Sequence, residues 1–98
     1  MLTIEEITRK LTPIFEANGV TRAILFGSYA KGCATEDSDI DLVIETEPHV
    51  CGWDFGGIHT DVAECLKKEV DLIPRQDVKV NGRIDIEVAQ SGRVIYEK

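Results

Sequence analysis

Apolar residues recur at Ile4, Ile7, Leu11 and Ile14 or Phe15, the spacing of one helical face, and the run stops at Asn18-Gly19. Thr3-x-x-Glu6 just ahead of it is a capping-box pattern. Together they predict a helix over about Ile4 to Ala17. Pro13 lies inside that span, lacks an N–H and crowds the carbonyl four residues back, so the helix is expected to kink there or end early.

The pattern then changes. Thr21 to Phe26 reads as a short strand buried on both faces, Gly27-Ser28 as a turn, and Ile40 to Ile44 as a second strand with an apolar stripe. Glu45 to Trp53, with Pro48 and Gly52, reads as a connector. Phe55, Ile58, Val62 and Leu66 mark a helix in spite of Gly56-Gly57 near its start. Val70 to Ile73 is a third strand closed by Pro74. Residues 78–90 stay open, because Ile84, Ile86 and Val88 alternate like a strand while Ile84, Val88 and Ala89 share a helical face. Helix is the favoured reading, followed by a short strand at Val94 to Tyr96. Strands alternating with helices predict an α/β (α+β) fold, a small mixed β-sheet covered by helices, with its site in the loops at the strand ends.

Composition narrows the picture. At 98 residues the chain has room for one domain, read as spanning 1–98, with a modest core and no second substrate-binding domain. Eleven Lys and Arg against eighteen Asp and Glu leave a net charge of -7, and no basic cluster is longer than Lys67-Lys68. Free DNA or RNA is therefore not an expected partner. The longest apolar runs, such as Ala23 to Phe26, are far short of the ~20 residues a membrane span requires, and the N-terminus lacks a signal pattern. A cytoplasmic protein is expected. Cys33, Cys51 and Cys65 form no CxxC and are odd in number, which agrees with a reducing compartment.

Candidate chemistry concentrates in Gly27 to Leu42, GSYAKGCATEDSDIDL. Asp37, Asp39 and Asp41 repel one another, and Asp is depleted from strands, so a counter-charge is expected. On a strand, residues two apart face the same way about 6–7 Å from each other. Asp39 and Asp41 would then project side by side while Ile40 and Leu42 face the core. Two hard oxygen ligands on one face suit Mg²⁺, which typically takes one or two carboxylates plus substrate phosphates. Two such ions steady the attacking and leaving oxygens in nucleotidyl transfer. Gly27 lets the backbone approach a triphosphate, Ser28 supplies an N–H and a hydroxyl, and Tyr29 to Lys31 can form a helical turn aimed at the phosphates. Each piece alone is a weak signal, but the four-residue pattern at fixed spacing arises by chance only about once in 10⁵ positions.

Gly27-Ser28, ten intervening residues, then Asp39-x-Asp41 resembles the signature of the polymerase-β-type nucleotidyltransferase superfamily. Within it, LFGSYAKG and SDIDL are similar to the minimal nucleotidyltransferases, and the resemblance spans nearly the whole chain. It implies a third carboxylate on a later strand, matched by Asp71 in EVDLIP. It further implies that Asp39, Asp41 and Asp71 bind one or two Mg²⁺ ions and that Asp71 helps deprotonate the attacking hydroxyl. Gly27, Ser28 and Lys31 would hold the nucleotide. Lys31 stands where an arginine is often found, which keeps a phosphate contact but loses bidentate geometry. The resemblance implies AMP transfer from ATP to a hydroxyl, a tyrosine of a partner HEPN-domain toxin, with this chain as antitoxin. An antibiotic-modifying nucleotidyltransferase completed by a partner subunit, and a non-catalytic antitoxin that acts by occlusion, are the alternatives. Homo- and hetero-oligomers are both compatible with the chain.

The remaining candidates read more plainly. His49-x-Cys51, His59 and Cys65 lack the paired spacings of a structural zinc site. Trp53 and Phe55 read as core or partner anchors ahead of base-stacking groups, and Arg22 and Arg75 as surface charge.

Overall fold

Thr3 caps the first helix, α1 (Ile4–Ala17), by reciprocal bonds: Glu6 N–H donates to Thr3 Oγ1 at 3.1 Å and Thr3 N–H to Glu6 Oε1 at 3.3 Å. The computed structural model describes all residues, Met1–Lys98. Ile7, Leu11 and Phe15, one turn apart, are fully buried. Pro13 does not end the helix early. It lies on the exposed face beside exposed Arg9, where water can satisfy the carbonyl that loses its donor. The turn after it is held by burial of Phe15 and by Asn18, which donates from Nδ2 to Ile14 O (2.7 Å) and from its N–H to Phe15 O (3.3 Å).

The sheet has four strands, β1 (Val20–Phe26), β2 (Ile40–Thr46), β3 (Val70–Pro74) and β4 (Arg93–Glu97), in the order β3-β2-β1-β4. β1 is antiparallel to both β2 and β4, and β2 is parallel to β3. The mixed sheet agrees with the sequence reading. Between the strands lie α2 (Gly27–Lys31), α3 (Gly52–Leu66), a 3₁₀ turn at Arg75–Asp77 and α4 (Arg83–Ser91). The ambiguous stretch is thus a helix from Arg83, as favoured. α3 starts inside the expected connector because Asp54 Oδ2 accepts the Cys51 N–H at 2.9 Å and ties down its first turn.

Strand alternation divides the sheet into two faces. Ala23, Leu25, Ile40, Leu42 and Ile44 join Ile7, Leu11 and Phe15 of α1 and Ile58, Val62 and Leu66 of α3 in the main core. Ile24, Phe26 and Val43 are equally buried but belong to the other face, where α4 packs on β1 and on α2. Asp41 shares the parity of Val43, so a carboxylate opens onto that second face.

Candidate active site

The register lines up three strand ends. Phe26 lies opposite Asp41, and Asp41 opposite Asp71. Adjacent strands run about 4.8 Å apart, so the Asp41 and Asp71 carboxylates are neighbours on one face. Directly after Phe26 the chain turns into α2 through Gly27, whose φ of +75° is left-handed. The expected Gly27-Ser28 turn is therefore the first turn of a helix. A Cβ at Gly27 would collide with the Asp41 carboxylate, so glycine is needed there for both its backbone and its missing side chain.

Asp41 is half-buried, and its carboxyl is pushed up to about 6. Burial contributes most, followed by the negative charges of Asp71 and then Asp39, a side-chain contact with Asp71 and, last, the charge of Glu87. Such a site holds a proton or a cation more readily than an isolated aspartate would.

A cleft of about 360 Å³ is lined by Gly27, Ser28, Lys31, Asp41 and Asp71, together with Phe26, Cys33, Ile73 and, from α4, Arg83, Ile84 and Glu87. Five of the six residues singled out from the sequence thus meet in one place. Asp39 does not line it. It precedes the first residue of β2 and is exposed, although its charge reaches Asp41. Lys31 is engaged within the protein, its Nζ 3.5 Å from Glu87 Oε1.

No three His, Cys, Asp or Glu side chains are gathered closely enough to hold a metal ion unaided. The donor set nevertheless suits a hard cation that completes its shell with phosphate oxygens and water: paired carboxylates, one with a raised pKa, beside a glycine that leaves the backbone open. Arg83 and Glu87 were not identified from sequence. Their spacing of four is the signal that would have found them, but it has meaning only once residues 78–90 are known to be helical.

The other candidates are scattered. His59 Nε2 lies 2.7 Å from Val70 O, and Cys65 Sγ lies 3.7 Å from Lys10 O. Phe55 packs against the core, whereas Trp53 is 92% exposed. Arg22 bridges Glu45 (3.4 Å) and Glu97 (3.7 Å) on the two neighbouring strands, and Arg75 pairs with Asp85 (3.4 Å).

A small mixed sheet that sets a Gly-Ser helix start against paired aspartates is the core of a nucleotidyl-transferring enzyme. Residues 4–95 match the nucleotidyltransferase domain family, and the chain belongs to that family. It is 40% identical over 72 residues to MJ0435 of Methanocaldococcus jannaschii, provisionally named a protein adenylyltransferase, covering 74% of this chain and 77% of that one. It is 35% identical over 83 residues to the protein adenylyltransferase MntA of Thermococcus cleftensis, covering 81% and 84%. Among solved structures, a toxin–antitoxin with AMP-PNP has the same fold, with a TM-score of 0.78 at 20% identity over 93% of this chain and 73% of that one. So does the complex of a tri-AMPylated Shewanella oneidensis HEPN toxin with its MNT antitoxin, with a TM-score of 0.73 at 17% identity over 98% and 74%. No helix is long and apolar enough to cross a membrane.

Proposed function

We propose that this protein transfers AMP from ATP, with Mg²⁺, to a tyrosine hydroxyl of a HEPN-type toxin and so acts as its antitoxin. The observation that carries the reading is the Asp41 carboxylate lying over Gly27 at the start of α2, with Asp71 in register beside it. The adenylyltransferase name of the Thermococcus relative supports AMP as the group moved, and the AMPylated toxin in a complex of the same fold supports a HEPN protein as acceptor.

Asp39 and Asp41 would hold the ion, Asp39 from the rim of the cleft, with Asp71 completing its shell. Bound Mg²⁺ neutralises charge on the phosphates and on the attacking and leaving oxygens. Gly27 and Ser28 present backbone N–H groups at the first turn of α2, and Lys31 adds a positive charge near the same helix. Asp71, the more exposed of the two carboxylates, takes the proton of the acceptor hydroxyl. That oxygen bonds to the α-phosphorus, the bond from the α-phosphorus to the bridging oxygen breaks, and pyrophosphate leaves.

Intact mass of a HEPN partner after incubation with this protein and Mg-ATP tests the reading. Whole AMP units should be added, and the modified partner should stay inactive after this protein is removed. Asp71→Asn should still bind Mg-ATP yet add no mass. An unmodified partner that is protected only while bound, and equally by Asp41→Asn, would make the protein an occluding binder, because reversible inhibition follows mass action.

A further inference from the structure

Arg83 is the first residue of α4 and lines the cleft with Ser28, Lys31, Asp41, Asp71 and Glu87. It takes part in none of the molecule's six ion pairs. Its natural helical partner is Glu87, four residues on, but that carboxylate bonds across the cleft to Lys31 at 3.5 Å. The preceding arginine in the chain, Arg75, is held by Asp85 at 3.4 Å. Asp85 also accepts the Asn81 N–H at 2.9 Å, which braces the first turn of α4 and fixes the backbone that carries Arg83. The cleft therefore has three carboxylates, one lysine already engaged, and one guanidinium without a partner.

We propose that Arg83 grips the β- and γ-phosphates of the nucleoside triphosphate and steadies the departing pyrophosphate. This deepens the nucleotidyl-transfer reading and rests on it. A guanidinium stays charged and offers a planar fork that bonds two phosphate oxygens at once, which the ammonium of Lys31 cannot do. Asp41 and Asp71 mark the position of the reacting α-phosphorus. Arg83 is paired to neither carboxylate, which leaves its charge for the part of the nucleotide beyond that atom. When the acceptor oxygen bonds to the α-phosphorus, the electron pair of the breaking bond goes to the bridging oxygen of pyrophosphate. A cation already in place stabilises that charge.

Titration calorimetry of Mg-ATP and of AMP against the wild type, Arg83→Gln, Arg83→Lys and the charge-matched surface control Arg9→Gln reads the contact directly. Arg83→Gln should weaken Mg-ATP binding by roughly 10–100-fold, the loss expected for a charge-assisted bidentate contact. AMP affinity should change less than about twofold, the lysine variant should fall between, and Arg9→Gln should match the wild type. Wild-type affinity for Mg-ATP in Arg83→Gln would overturn the proposal while leaving nucleotidyl transfer intact. Equal losses for ATP and AMP would place Arg83 on the nucleoside and overturn it too. A wild-type protein that binds neither nucleotide would remove the nucleotidyl-transfer reading and this proposal with it.

Discussion

At the scale of the residue, Asp41 sits where three requirements meet: it follows a buried position of β2, it faces Asp71 in register, and it needs Gly27 beneath it. Its carboxyl, raised to about 6, binds a proton in the folded chain at a pH where the unfolded chain, with an ordinary value near 4, has already lost it. Between those two values the folded state holds more protons, so stability falls as pH rises through about 6 and is recovered as pH falls. After allowance for solvent screening at a half-exposed group, we expect the chain without divalent cations to be about 1 kcal/mol more stable at pH 5 than at pH 7 from this source. Asp41→Asn should remove that dependence, raise stability at pH 7 and abolish Mg²⁺-dependent ATP binding. Urea unfolding at the two pH values, with parallel nucleotide titration, checks both halves. A mutant with unchanged pH dependence would show that the like charges are already relieved by solvent.

At the scale of the element, α1 shows why local rules and tertiary burial must be weighed together. Proline disfavours a helix interior by up to about 3 kcal/mol, yet the face that carries Ile7, Leu11 and Phe15 buries three large side chains at about 1.5–3 kcal/mol each. Burial wins, and the helix runs on to Ala17. Pro13→Ala should return a donor to the Arg9 carbonyl and stabilise the protein by about 1–2 kcal/mol, part of the gain being offset by the freer unfolded chain. Thermal unfolding measures it, and a destabilised variant would mean that the surrounding turn is built around the proline. α4 makes the converse point. It buries no residue fully, so its apolar positions were too sparse to settle its type, and its contribution is the pair of charged side chains it brings to the cleft.

At the scale of the whole molecule, α1 and α3 cover one face of the sheet while the other is covered only in part, by α4, which also packs on the short α2. That asymmetry leaves room for a cleft at the strand ends. It also separates aromatic residues that look alike in sequence. Phe15 is fully buried and packs on Tyr96 with ring centroids 5.5 Å apart, whereas Trp53 stands 92% exposed at the start of α3. Phe15→Ala is expected to cost about 3–5 kcal/mol and Trp53→Ser less than about 0.5 kcal/mol in the same denaturation measurement. A comparable loss from both would show that Trp53 is packed in solution.

Helix α1, strands β1, β2 and β3 and helix α3 were legible because each buries regularly spaced apolar residues, and a period of two or near 3.6 is written directly into the order of residues. Gly27, Ser28 and Asp41 stood out for another reason: their chemistry is unusual for a strand and its flanks and they recur at a fixed spacing, whereas Asp71 was marked only by the resemblance to a family with a third carboxylate. Several features were settled only by the folded chain. Pro13 is accommodated because its helix is anchored on both sides of it. The start of α3 depends on a side-chain bond from Asp54 to the backbone of Cys51. Above all, Arg83 and Glu87 reach the cleft because a helix with no fully buried residue lies against β1 and α2. Residues more than forty positions from the Gly-Ser turn become its neighbours through sheet order and helix placement, and no local periodicity records either.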